Sequence, residues 1–180
     1  PRGRCDSAGH CRGRPVPMTE GFVDLHDFAA ATAPPAAILG LDFGTKTIGI
    51  AISDLFQSVA TPLVTIRREK FTQDAAELAK LVAARDIRGL ILGLPRNMDG
   101  SEGPRAQSTR AFLRNIGRFE GLSHLPAAFW DERLSTVAAE RALLEADTSR
   151  KRRAEVIDAV AASYILQGSL DRMRVIRSAE

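Results

Sequence analysis

The chain contains 180 residues and carries a formal charge of +3 at pH 7, from 25 lysines and arginines against 22 acids. This length favours one domain of the usual size, roughly 100 to 200 residues, with a core large enough to need no disulfides. No apolar run reaches the ~20 residues that cross a bilayer, so the sequence predicts a soluble protein with no membrane partner. The segment 1–17 contains four arginines and one acid and therefore carries the whole excess charge.

The same segment contains both cysteines of the chain, Cys5 and Cys11. No disulfide or thiolate site can therefore support the rest of the sequence, which fits a reducing compartment. His10 could join the cysteines at a zinc ion, but their spacing matches no common zinc pattern and a fourth ligand is missing. We expect residues 1–36 to be a disordered tail and linker, with a short helical turn at 21–28. Residues 1–17 are either a native arm or sequence upstream of a start at Met18.

Apolar periodicity predicts a regular series of strands and helices from residue 37 onward. The predicted strands are 37–43, 47–53, 58–66, 89–94 and 125–130. The predicted helices are 72–86, 104–116, one opened by Ser135 or Thr136, and 153–172. Pro62 marks the third strand as an edge strand or as the site of a bulge. This order, βββαβαβα, predicts one α/β domain at 37–172, built on a mixed sheet with helices covering both faces, and a C-terminal tail at 173–180.

Two acids lie where packing alone would not put them. Asp42 falls inside the first strand, although aspartate is depleted in strands and a buried carboxylate needs a partner. Asp158 interrupts the apolar stripe of the last helix. Simpler structural roles are open for both, because Asp42 could cap the turn at Gly44 and Asp158 could pair with a base at 151–153 near the start of its helix.

A third acidic position, Asp131–Glu132, ends the last strand. Side chains alternate across a strand, so only one of the two shares a side with Asp42. We favour Glu132 and keep Asp131 as the alternative, beside the simpler interpretation of a charged loop. Three oxygen donors without histidine or cysteine suit Mg²⁺ or Mn²⁺, and a pair of such ions can activate water and stabilise the leaving oxygen in phosphodiester cleavage. Asp42, Glu132 and Asp158 are therefore the predicted catalytic and metal-binding residues.

Basic residues cluster in two places, at 104–118, where no acid intervenes, and at 150–153. Such clusters bind phosphate without reading sequence, and the alternative is an ordinary solvated helix face. The loop 93–104 follows a buried strand and precedes a helix, where open sheets bind ligands and helix N-termini attract phosphate. Its glycines could also serve only to make turns.

Four motifs taken in order carry a resemblance to a known family. They are Leu41–Asp54 (LDFGTKTIGIAISD), Gly93–Gly103 (GLPRNMDGSEG), Asp131–Thr136 (DERLST) and Val156–Ala162 (VIDAVAA). Together they resemble the YqgF/RuvX family of bacterial proteins, over roughly 38–170. The resemblance implies a ribonuclease-H-like fold related to Holliday junction resolvases. Arg96 stands where the family more often has an apolar residue.

The resemblance implies a cytoplasmic, metal-dependent nuclease that matures the 5′ end of precursor 16S ribosomal RNA through acids placed like Asp42, Glu132 and Asp158. Precursor ribosomal RNA is then the predicted partner. The residues predicted to contact nucleic acid are Lys46, Arg96, Asn97, Arg105, Arg110, Arg114, Arg133, Lys151, Arg152 and Arg153.

Three other functions are open. A resolvase would use the same acids on branched DNA, normally as a dimer, and the oligomeric state is itself open. A kinase or ATPase is suggested by residues 42–45, which resemble the phosphate-binding hairpin of the actin and sugar-kinase superfamily, but the chain has no second copy of that motif. A non-catalytic nucleic-acid or ribosome-associated factor would keep the acids without using them.

Overall fold

A computed structural model describes residues 22–134 and 150–179, and the side chains of 22–133 and 157–179. The strands are β1 (Ala37–Phe43), β2 (Thr47–Ser53), β3 (Ala60–Arg67), β4 (Ile87–Leu94) and β5 (Ala127–Asp131). The helices are α1 (Leu25–Ala31), α2 (Phe71–Ala84), α3 (Pro104–Ile116) and α4 (Arg150–Ser178), and a 3-10 helix at Glu132–Leu134 follows β5. The helix predicted to open at Ser135 or Thr136 lies outside the described residues.

The strands form one mixed sheet in the order β3-β2-β1-β4-β5. The first three strands pair as antiparallel hairpins, whereas β4 joins β1, and β5 joins β4, in parallel. Both expectations for Pro62 are met, because β3 lies at the edge of the sheet and its register with β2 shifts at Ala51, the residue opposite Pro62. The predicted α/β mixed sheet is confirmed.

The central strand β1 divides its side chains between two cores. The core beneath α2 and α3 takes Leu39 and Leu41, whereas the core beneath α1 and α4 takes Ile38. Gly40 lies on the second face, where an added Cβ would come within 2.5 Å of the Leu166 Cβ, so α4 packs closely on the sheet there. Alternation directs Asp42 to the same face as Gly40. Helices cover both faces, as predicted.

Helix α1 corrects the expectation that disorder extends through residue 36. Asp24 caps this helix, because its Oδ1 accepts a hydrogen bond of 2.8 Å from the Asp27 N–H. Phe28 is fully buried, and an added Cβ at Gly89 of β4 would lie 2.6 Å from its ring. The segment is therefore part of the second core. Its order depends on contacts with strands and a helix far along the chain, which local periodicity does not report.

Helix α4 also extends beyond expectation, from residue 150 to Ser178 rather than ending at 172. Near its end, the Arg177 Nη2 donates hydrogen bonds of 2.9 Å to the Ala29 carbonyl and to the Gln57 Oε1. The far end of α4 is thereby joined to α1 and to the loop after β2. Across 22–134 and 150–179, no helix has the length and apolar character needed to cross a membrane.

Candidate active site

Asp42 lies in the regular β1–β2 ladder, directly opposite Gly49, and its residue is only 3% exposed. The side chain points to the α4 face, as derived above. A carboxylate buried to this extent, near the end of the central strand, carries a substantial desolvation cost unless it is paired. Its position is set by β1 itself, which gives it little freedom to move.

Asp158, on α4, comes to this face directly above Gly49. A Cβ at Gly49 would collide with the backbone carbonyl of Asp158, so the absence of a side chain is what lets the helix approach. The Asp158 Oδ2 accepts a hydrogen bond of 2.6 Å from the Thr47 hydroxyl. Both the backbone and the carboxylate of Asp158 are thus held by residues of β2.

Glu132 reaches the same face from the other side. A Cβ at Gly93 would lie 2.7 Å from the Glu132 Oε1 and 2.5 Å from the Ile165 Cδ1, which places this carboxylate above β4 and beside α4. The β1–β4 register pairs Leu41 with Leu92, so Gly93 is the β4 neighbour of Asp42. Glu132 therefore lies one strand away from Asp42.

The sheet thus presents Gly49, Asp42 and Gly93 side by side on three adjacent strands, about 4.8 Å apart. Asp158 lies above Gly49 and Glu132 lies above Gly93, so these two acids flank Asp42. Within 22–134 and 150–179, however, no three histidine, cysteine, aspartate or glutamate side chains are positioned to hold one metal ion together. The predicted acids share a face without forming a closed set of ligands.

Asp131, the alternative to Glu132, has a different environment. Its Oδ2 pairs with the Arg133 Nη2 at 2.7 Å and with the Arg96 Nη1 at 3.7 Å. Hydrogen bonding from the Arg133 side chain is the main cause that lowers the pKa of Asp131. Trp130 packs on the α4 side, where a Cβ added at Gly168 would lie 2.9 Å from its ring, so alternation turns Asp131 to the opposite side. The geometry favours Glu132 over Asp131 as the partner of Asp42.

Glu102, which sequence reasoning did not single out, organises the loop after β4. Its carboxylate forms two hydrogen bonds of 2.7 Å with the Arg110 guanidinium and one of 3.2 Å with Arg96. The Arg110 guanidinium also lies 4.8 Å from the centre of the Phe129 ring. Hydrogen bonding with Arg110 is the main cause that lowers the pKa of Glu102, and it raises the pKa of Arg110. Three arginines predicted to hold phosphate, Arg96, Arg110 and Arg133, are therefore engaged in internal ion pairs.

Asn97 is also used within the loop. Its side-chain amide donates to the Ser101 hydroxyl at 2.9 Å, and the backbone carbonyl of Asn97 accepts from the Gly100 N–H at 2.9 Å. Gly100 has a φ of +87°, a left-handed conformation that suits glycine. These bonds close a tight turn and give Asn97 a structural role alongside the predicted one.

The other predicted phosphate-binding residues are divided between two layers. Lys46 is exposed at the turn between β1 and β2, four residues after Asp42. Arg105 and Arg114 are exposed on α3, which packs on the sheet face opposite Asp42. Of these two, only Arg105 lies at the start of α3, next to the loop after β4. Arg114 is nine residues further along, or some 14 Å at about 1.5 Å per residue. The side chains of Lys151, Arg152 and Arg153 lie outside the described residues.

Arg68 is a second residue that the sequence did not reveal. Its Nη1 donates to the carbonyls of Gly44 and Thr45 at 2.8 and 3.2 Å, and its backbone N–H donates to the Lys46 carbonyl at 2.9 Å. The guanidinium lies 4.2 Å from the centre of the Phe43 ring. This one residue holds the turn that carries Lys46.

Comparison with known proteins places this geometry in context. A relative from Ruegeria sp. (strain TM1040), provisionally named a pre-16S rRNA nuclease, is 71% identical over 154 residues, which are 86% of this chain and 96% of the relative. A relative from Paracoccus denitrificans (strain Pd 1222), with the same provisional name, is 66% identical over 157 residues, which are 87% of this chain and 98% of the relative.

Among solved structures, a T. thermophilus RuvC in complex with a Holliday junction substrate aligns with a TM-score of 0.50 and 12% identity, over 77% of this chain and 96% of that one. This likeness confirms the ribonuclease-H-like architecture of the resolvases. A family model described as "RuvX: Holliday junction resolvase" matches residues 36–172. The chain therefore belongs to the RuvX family.

Proposed function

We propose that the chain is a divalent-metal-dependent nuclease that cleaves phosphodiester bonds while maturing the 5′ end of precursor 16S ribosomal RNA. The observation that carries the proposal is the placement of Asp42 between Asp158 and Glu132 on one face of the sheet, each flanking acid above a glycine. The provisional name shared by the Ruegeria and Paracoccus relatives supports the RNA substrate. This substrate implies a cytoplasmic enzyme.

The donor set fits the proposed metal in its chemistry. Carboxylate oxygens are the ligands that Mg²⁺ and Mn²⁺ prefer, and all three predicted acids supply them. Asp42, Glu132 and Asp158 would hold the ions. When bound, a pair of ions supplies an activated water and stabilises the leaving oxygen of the phosphodiester.

The remaining residues have roles that follow from their positions. Asp42 is held by the central strand, so it would position the ions, and through them the substrate, relative to the sheet. Lys46 is exposed on the adjacent turn and would contact a phosphate of the RNA backbone without reading the base. Arg105, at the start of α3, would hold a more distant phosphate from the other layer. Arg96 and Arg133 would act through the loop that they brace.

Cleavage of a four-way DNA junction is the second candidate function. The description of the family model and the fold shared with the junction-bound RuvC favour it. Symmetric cleavage of two strands normally requires two active sites related by a twofold axis. A monomer that cuts RNA would argue for the first proposal, and a dimer that cuts only junctions for the second.

A non-catalytic role is the third candidate. It is favoured by the lack, among the residues that the structure describes, of three acids already arranged around one ion. A factor of this kind would bind ribosomal RNA but would neither bind Mn²⁺ at Asp42 nor cleave. Calorimetric titration of the protein with Mn²⁺ separates this candidate from the two enzymes.

The deciding experiment incubates an end-labelled precursor 16S fragment and, in parallel, a four-way DNA junction with Mg²⁺ or Mn²⁺. Wild type should cut the RNA, and Asp42→Asn should lose at least about 100-fold in rate, because metal ions supply several kcal/mol of transition-state stabilisation. Asp171→Asn, an exposed aspartate on α4, is the matched control and should cut normally. Unreduced cleavage by Asp42→Asn would contradict the proposed site, and cleavage of the junction alone would contradict the RNA substrate.

A further inference from the structure

We propose that Thr47 is a positioning residue that orients the Asp158 carboxylate for metal binding. The inference rests on the proposed function and adds to it a residue that is itself no metal ligand. The observation behind it is the hydrogen bond of 2.6 Å from the Thr47 hydroxyl to the Asp158 Oδ2, which joins β2 to α4 across 111 positions of sequence.

The donor is held rigidly. Thr47 begins β2, where its backbone is paired with Arg67 of β3, and its carbonyl accepts a hydrogen bond of 2.9 Å from the Gly44 N–H. Arg68 fixes the turn just before it, through the carbonyls described above. A threonine in a strand also has a restricted χ1 angle. The hydroxyl is therefore a preorganised donor.

The acceptor would otherwise retain a degree of freedom. The close approach of α4 to Gly49 fixes where the backbone of Asp158 lies, but it does not fix how the carboxylate is turned. A short hydrogen bond to Oδ2 defines that orientation and leaves Oδ1 outside the bond. Two nearby residues of β2 thus position Asp158: Gly49 lets its backbone approach the sheet, and the Thr47 hydroxyl orients its carboxylate.

A neutral donor suits this position. Asp131 shows the alternative, since two arginines lie against it and compensate its charge. Thr47 orients a carboxylate with an uncharged hydroxyl, so the negative charge that attracts a cation is kept. Partners that orient metal-binding side chains typically change metal affinity by about 10- to 100-fold when removed.

The test compares Thr47→Val, which removes the hydroxyl but keeps the branched shape, with Thr47→Ser, which keeps the hydroxyl. Thr61→Val, at an exposed position of β3, is the control for a threonine-to-valine change in a strand. For each protein, calorimetry measures Mn²⁺ affinity without substrate, RNA cleavage is measured against Mn²⁺ concentration, and thermal unfolding measures stability.

We expect Thr47→Val to bind Mn²⁺ about 10-fold more weakly, with a matching shift in the Mn²⁺ concentration that gives half-maximal cleavage. Thr47→Ser and Thr61→Val should match wild type in Mn²⁺ affinity, and all four proteins should unfold at similar temperatures. Unchanged Mn²⁺ affinity in Thr47→Val would overturn this inference alone. A general fall in stability with weak binding in Thr47→Ser as well would assign Thr47 to the fold and also overturn it. If wild type bound no Mn²⁺, the proposed function would fail together with the inference.

Discussion

Glu102 and Arg110 form a two-point ion pair, with both N···O distances at 2.7 Å and both side chains about one quarter exposed. The pair ties the loop after β4 to α3, eight residues along the chain. Because Arg96 joins Glu102 to Asp131, the same network extends to the end of β5. The loop next to the candidate site is therefore braced by charge pairs.

Replacing Glu102 by glutamine should weaken this brace. We expect a loss of about 1 kcal/mol in the free energy of unfolding, below the usual value for a hydrogen bond to a charged group, because the pair is partly solvated. Urea denaturation measures the effect. Asp86→Asn is the control, since Asp86 and Arg88 form an ion pair in which both side chains are mostly exposed, and its stability should match wild type. Equal effects of the two substitutions would show that the brace contributes nothing.

The lowered pKa of Glu102 predicts how stability depends on pH. A carboxyl whose pKa is lower in the folded protein contributes stability that is fully present above its unfolded value, near 4.5, and is lost as the pH falls through the folded value. Wild type should therefore lose stability below about pH 4.5, and Glu102→Gln should lose less over the same range. Urea midpoints measured between pH 3 and 6 test this. Parallel curves for the two proteins would contradict it.

The two glycines that flank Asp42 should differ in their tolerance of alanine. An added methyl group at Gly49 meets the backbone of Asp158, which cannot move without shifting α4, so we expect a loss of more than about 3 kcal/mol in stability. At Gly93 it meets the ends of two side chains, Glu132 and Ile165, which can rotate away. Gly93→Ala should therefore fold but lose cleavage.

Gly103 provides the control for both substitutions, because the atoms nearest to its added Cβ are 3.9 and 4.0 Å away. Gly103→Ala should be stable and active. Thermal unfolding and RNA cleavage distinguish the three proteins. Normal activity in Gly93→Ala would show that the Glu132 carboxylate need not lie above that glycine.

Arg68 should affect substrate binding through the turn that carries Lys46. Arg68→Met keeps an unbranched apolar side chain but removes the guanidinium, which lies over the Phe43 ring and donates to the carbonyls of Gly44 and Thr45. We expect a rise in KM for RNA of a few fold and a loss of about 1–2 kcal/mol in stability. Arg67→Met, at the exposed neighbouring position, should change neither. Equal KM values for the two variants would contradict a role for the turn.

The sequence predicts much of this architecture because its elements are locally marked. The bounds of β1, β2 and α3 match the prediction, since turn residues or Pro104 delimit each of them and their apolar patterns are regular. The sequence predicts only a short helical turn at 21–28 where α1 lies, because a helix of seven residues is too short to be stable alone and depends on the burial of Phe28 in the second core. The shift of β5 by one to two residues follows from a strand whose ends are set by pairing with β4.

The candidate site divides in the same way. Asp42 and Asp158 stand out in sequence because each breaks an apolar pattern. Strand alternation predicts that only one of Asp131 and Glu132 shares a side with Asp42, but not which one. The ion-pair and hydrogen-bond partners of these side chains could not be predicted from the sequence. Three arginines looked available for phosphate, yet Glu102 and Asp131 lie against them, and nothing local links Thr47 to Asp158. Such pairs depend on how α4 and the loop after β4 lie on the sheet, which one sequence does not disclose.

Helix α4 is long enough that a small change in its tilt would move Asp158 appreciably. Asp158 and the Arg177 anchor are 19 residues apart, or about 28 Å at 1.5 Å per residue. A tilt of only about 2° around that anchor would carry Asp158 roughly 1 Å, enough to matter for groups that must align during catalysis. The tight contacts at Gly40 and Gly49 oppose such a tilt, because they hold the part of α4 that carries Asp158 against the sheet. The position of Asp158 in the candidate site therefore depends on the two glycines beneath α4 more than on the distant contacts of Arg177.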